Sequence, residues 1–118
     1  MVFNSFTFLL MKLHAFRDRI DGARRDLSAY HALDIYRIVA MLSRDEYDFV
    51  KRLAAKHKDT NAVRGAAAIV GSMFFGEASS GVLRLKGESA RAGLPASDIQ
   101  SKELVSVLAD LFPPARLH

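Results

Sequence analysis

Cysteine is absent from this 118-residue chain. That excludes disulfides, thiolate zinc sites and a thiol nucleophile together, and it is compatible with a reducing, cytoplasmic setting. No apolar run approaches the roughly 20 residues of a membrane-spanning helix, so no membrane partner is expected. The opening stretch, residues 1–16, is apolar, but no basic region precedes it and no small-residue cleavage pattern follows, so it does not read as a signal peptide. The four histidines show no metal-ligand spacing, and no zinc-protease helix pattern is present. Gly71 to Gly76 superficially resembles a glycine-serine phosphate loop, yet it lacks a P-loop lysine and has no aspartate pair after it. No Ser-His-Asp order emerges, and there are no repeats, linkers or low-complexity segments.

Charge is similarly undramatic. Seventeen basic and 13 acidic residues leave a net +4, with a pI of about 9.7. Residues 1–42 carry +2, residues 43–76 carry +2 and the remainder is neutral. The excess is dispersed, so it is weak support for a nucleic-acid partner.

What is present is helical patterning. Apolar residues form 50% of the chain, and its length suits one domain with a modest core. Asn4 or Ser5 can cap a first helix whose face is Phe6, Leu9, Leu10, Leu13, Phe16 and Ile20, with Gly22 as its stop. A polar turn over 23–27 leads to Ser28 as cap of a second helix, over 29–42, apolar nearly all round and therefore central. Ser43 and Glu46 have capping-box spacing ahead of a third helix with Tyr47, Val50, Leu53 and Ala54 inward. Asp59 or Thr60 caps a fourth, whose face is Val63, Ala66, Ala67, Val70, Met73 and Phe74. Residues 76–93 hold four glycines and read as a short helix or turn, with an edge strand as alternative. Ser97 caps a last helix, Asp98 to Leu111, stopped by Pro113 and Pro114. The expectation is an all-α, single-domain bundle of about five helices spanning 1–118.

Candidates for chemistry cluster in residues 12–42. Lys12 and Arg19 are seven apart, which on a helix puts them on one face roughly 10 Å apart. Two such cations could hold different phosphates of one nucleotide, lysine as a point charge and arginine as a fork. The plainer reading, which spacing alone favours, is solvated charges beside an apolar stripe, with Arg19 pairing with Asp18 or Asp21. Asp34 lies in an apolar helix with His31 and Arg37 one turn to either side. If buried it needs a partner, such as a cation of the first helix or a metal; otherwise the three form an exposed stripe with an Asp34–Arg37 pair. Spacing again favours the plainer reading. Asp45 and Asp48, like Asp18 and Asp21, read as solvated faces.

The element Lys12-Leu13-His14-Ala15-Phe16-Arg17-Asp18-Arg19, preceded by the apolar run from Phe6 to Met11, resembles a Lys-x-x-Ala-x-x-x-Arg element. That element is typical of the helical C-terminal half of bacterial nucleotidyltransferase-fold proteins of the abortive-infection, AbiE toxin-like group. His31-Ala32-Leu33-Asp34-Ile35-Tyr36 is similar to the aspartate-containing element on that group's next helix. The likeness covers roughly residues 5–48. It implies that Lys12, Arg19 and Asp34 contribute to a nucleotide or phosphate site.

Two departures limit what the resemblance implies. The group carries a Gly-Ser loop and an Asp-x-Asp pair that holds metal ions against the phosphates, and this sequence contains no such element. A Lys-Asp dipeptide often precedes the group's second element, where Tyr30-His31 stands here. The implied protein is a helical module that completes a nucleotide site and is not catalytic alone. It would bind no cofactor by itself, and a nucleotide with Mg only beside a separate nucleotidyltransferase half. The alternative is a small helical interaction module, a homo-oligomer or a toxin–antitoxin component with an antitoxin-like partner. Nucleic-acid binding through Arg17, Arg24, Arg25 and nearby lysines is a third, weaker reading.

Overall fold

Three of the helix starts that the sequence marks with a cap, at Asn4, Ser43 and Thr60, are used. The computed structural model describes residues 4–20, 26–91, 93 and 100–114. α1 (Ser5–Arg19) follows Asn4, whose side chain accepts the Thr7 N–H at 2.9 Å. α3 (Arg44–Lys56) opens on a complete capping box between Ser43 and Glu46. The Ser5 hydroxyl also donates to Glu46, tying the start of α1 to the start of α3. These bonds, the Ser43 backbone N–H first, hold the Glu46 carboxyl below its ordinary range. α4 (Asn61–Met73) follows Thr60, which accepts the Val63 N–H.

Three boundaries differ from the sequence reading. α2 runs Asp26–Met41, so Ser28 lies inside the helix and is fully buried instead of capping it. A serine before an apolar run reads as a cap, but this one is drawn into the interior. Residues 80–91 form a full three-turn helix, α5 (Ser80–Arg91), where a short helix, a turn or an edge strand was expected. Val82 and Leu85 are buried on its inner face. The glycines that obscured it have separate jobs: Gly81 admits a close neighbour, and Gly93, at φ +84°, sits just beyond its end. α6 (Ser101–Leu111) starts at Ser101, after Gln100, with no side-chain cap bond; the expected cap Ser97, and the expected stop Gly22 of α1, lie outside the described residues. With α5 counted, six helices rather than about five are described, and no strand occurs among the described residues.

α1 and α2 form the centre. α1 packs against α2, α3 and α4, while α2 also meets α5 and α6. Leu9, Leu13 and Phe16 of α1 and Ile35 of α2 are fully enclosed. Around them, Phe16 meets Phe74 tilted, at 5.1 Å between ring centroids, and Phe6 stacks on Phe112 at 6.5 Å. Val50, Ala66, Ile69, Leu85, Leu104 and Leu108 bring the four outer helices into the same core. The radius of gyration, 13.6 Å, matches the ~13.5 Å expected of a compact globule of this length. The all-α class stands, and this core holds the α1–α2 seam in place.

Candidate functional site

The face of α1 opposite α4 carries Lys12, and α2 answers it with His31 and Asp34, one helical turn apart. Lys12 Nζ lies 2.8 Å from Asp34 Oδ2 and 3.5 Å from His31 Nδ1. It also sits 5.2 Å from the centroid of the Phe8 ring, one turn back on α1. The Lys12 side chain is 19% exposed and that of Asp34 34%. The pair is therefore drawn into the seam between the helices while one edge stays in water.

This arrangement fixes the state of His31. An ammonium can only donate, so Nδ1 must accept, and the ring proton belongs on Nε2. Burial pushes the imidazole below its ordinary value, and the Lys12 charge pushes the same way. Asp34 opposes that shift, and Arg19 adds weakly to it. His31 is a neutral acceptor that helps aim the lysine.

The sequence-marked residues are thus brought together unevenly. Lys12 and Asp34 are partners across the seam, so the partly covered Asp34 meets a cation of the first helix. Arg37 is exposed, and among the described residues Asp34 pairs with Lys12 rather than with it. Arg19 is exposed about two turns along α1 from Lys12 and acts on the cluster through its field. Arg17 is engaged locally, 3.3 Å from Asp18. Arg24 and Arg25, from the nucleic-acid reading, fall outside the described residues. In the sequence His31 reads only as a neighbour of Asp34; its place three residues before Asp34, on the same helix face, is the available signal.

Chemically, the site can present an oriented ammonium. Of its three N–H donors one is spent on Asp34 and one on His31, leaving a third for an anion. Lys12, Asp34 and Arg19 together carry one net positive charge. Asp34 would repel a phosphate, so its part is to position Lys12 and not to touch the anion. The Mg ion implied by the resemblance finds no ligand set: among the described residues no group of three His, Cys, Asp or Glu side chains could hold a metal.

No protein-family model, no curated protein and no solved structure matches the chain. No helix among the described residues is long and apolar enough to cross a membrane.

Proposed function

We propose that this chain is a helical module that presents Lys12, aimed by Asp34, to the phosphates of a nucleotide, with Arg19 as the second cation. The observation that carries the reading is the 2.8 Å pair between Lys12 and Asp34 across the α1–α2 seam. The two elements on which the resemblance to AbiE toxin-like nucleotidyltransferase-fold proteins rests meet there. A carboxylate behind a half-buried lysine fixes the ammonium at the cost of some of its attraction for anions. This is useful where position matters more than raw affinity. The sequence offers no Asp-x-Asp pair, so the module would complete a nucleotide site whose metal-holding carboxylates come from a separate nucleotidyltransferase half.

The test is a chemical-shift titration with ATP, GTP, CTP and UTP, run on the wild type and on Lys12→Ala. Shifts centred on residues 8–19 and 31–37 that vanish in Lys12→Ala support the reading. No shift and no thermal stabilisation by any triphosphate would sink it.

A second reading has its own observation. Met41, Phe75 and Leu83 are 81%, 63% and 57% exposed, and a partner that covered them would take large apolar side chains out of water. A homo-oligomer or a toxin–antitoxin component of this kind would sediment above the monomer mass, or shift on adding the antitoxin-like protein. A chain that stays monodisperse and monomeric at high concentration argues against obligate self-assembly.

A further inference from the structure

On the far side of α1, away from Lys12, α3 and α4 leave the turn at 57–60 and splay apart. Phe112 to Pro114, following α6, close the third side, and an open groove of about 870 Å³ lies between them. No residue of α1 or α2 lines it. Its floor is made of small and apolar groups, Ala54, Val63, Ala67, Ala68 and Gly71. The volume falls in the range of small-molecule sites, roughly 300–1,000 Å³.

The groove is polarised along its length. Lys58 and Arg64, both exposed, stand at the end nearest the turn. The third lining cation, Lys51, is 3.2 Å from Asp110, the one acidic lining residue, so those two charges offset each other. The opposite end is mainly apolar, with the Ser72 hydroxyl donating back to the Ala68 carbonyl; a Cβ added to Gly71 would lie 2.9 Å from Pro114, which places the proline against that glycine. Arg64 and Gly71 are seven residues apart on α4, so the apolar track runs about 10 Å from the cationic end.

We propose that this groove binds a small amphipathic carboxylate of medium acyl-chain length. The head would lie between Lys58 and Arg64, and the chain would run over Ala67 and Ala68 toward Gly71 and Pro114. A partner helix fits less well. A standard interface buries about 800 Å² per partner, and an acidic helix would call for cations spaced along the groove. Here the cations that make no ion pair among the described residues sit at one end, as a ligand with one charged head requires.

The experiment titrates the full chain with decanoate and, separately, with decanol, following amide shifts. Decanoate should move Arg64, Gly65, Ala67, Ala68 and Gly71, leave residues 8–19 still, and bind more tightly than decanol. In the double variant Lys58→Ala/Arg64→Ala, both positions being exposed, decanoate should weaken about fivefold while decanol is unchanged. Ala68→Glu, which sets a carboxylate on the track, should abolish decanoate binding; thermal melts establish that both variants are folded. Shifts that map elsewhere overturn the proposal. So does decanoate affinity that matches decanol, or that survives both variants.

Discussion

Asp34 Oδ2 stands 2.8 Å from Lys12 Nζ, and the two residues belong to different helices. The pair is only partly covered, with 19% and 34% of the side chains exposed, so its net worth is that of a half-screened bridge. A double-mutant cycle of Lys12→Met and Asp34→Asn should return a coupling of about 1 kcal/mol. The check is urea denaturation at low and high salt, with the coupling reduced in high salt. A coupling near zero would mean that the pair neither stabilises the seam nor fixes the lysine.

His31 predicts a pH dependence with a definite sign. Burial and the Lys12 charge lower its value below the ordinary 6.5 in the folded state, despite the opposing pull of Asp34. The unfolded chain therefore takes up the proton first as pH falls. The stability contributed by neutral His31 is fully present above about 6.5 and drains away as pH drops through the folded-state value. NMR titration should show the His31 imidazole protonating below the ordinary 6.5. His31→Gln, which keeps an acceptor but cannot titrate, should flatten the stability profile between pH 5 and 7. A His31 midpoint at or above that of an exposed histidine contradicts the assignment of Nδ1 as acceptor.

How far the sequence could be read follows from where the signals lie. Asn4, Ser43–Glu46 and Thr60 announced three helices because each cap is a local bond made within three residues of chain. Ser28 misled because the same residue type caps when exposed and packs when covered, and only the tertiary fold decides which. The α5 helix was hidden by its glycines: Gly81 is needed by the packing and Gly87 is not, yet in sequence they look alike. At the candidate site, the spacing of Lys12 and Arg19 was legible, and so was the oddity of Asp34 in an apolar helix. That Lys12 meets Asp34 depends on the angle at which α1 crosses α2, and no local pattern encodes it. The α3–α4 groove left no signal, since it is made by two helices failing to pack.

Gly65 is held free of a side chain by a histidine. His14 Nε2 lies 2.9 Å from the Ala62 carbonyl, and a Cβ on Gly65 would come within 2.5 Å of the same ring. Gly65→Ala should displace the imidazole, and losing its bond to the Ala62 carbonyl costs about 0.5–1.5 kcal/mol, set against the better helix propensity of alanine. In the His14→Ala background the ring is gone, and the same substitution should become neutral or stabilising. Thermal melts of the four proteins measure this reversal. An equal penalty in both backgrounds would place the strain elsewhere.

Gly81 and Gly87 lie in one helix and should respond oppositely to alanine. At Gly81 a Cβ would meet the Met73 carbonyl oxygen at 2.5 Å, backbone that cannot swing aside, and the Phe74 ring as well. Gly81→Ala should therefore cost about 3 kcal/mol, at the upper end of overpacking penalties. At Gly87 nothing lies within 4 Å, so Gly87→Ala should stabilise by roughly 0.5–1 kcal/mol through helix propensity alone. Denaturation midpoints of the two single variants suffice. Were both destabilising, the close approach of α5 to the end of α4 would not be what makes Gly81 necessary.

The Tyr47 hydroxyl donates to the Asp110 carboxylate, joining α3 to α6, and Lys51 stands 3.2 Å from the other oxygen. The bond from Tyr47, with help from Lys51, lowers the Asp110 carboxyl below its ordinary 3.8. The stability it contributes is present above about 3.8 and is lost as pH falls through the folded-state value. The same contact acts on the phenol from the other side. Burial first, then Asp110, raises Tyr47 to about 12. The folded state keeps its phenol proton where the unfolded chain releases it, so that contribution is intact below pH 10 and lost as pH rises toward about 12. Tyr47→Phe removes both effects at once. Its stability should trail the wild type most at neutral pH, and the two curves should converge at both extremes. Urea midpoints measured from pH 3 to 11 test this; a constant offset across that range would mean that Tyr47 contributes only by packing.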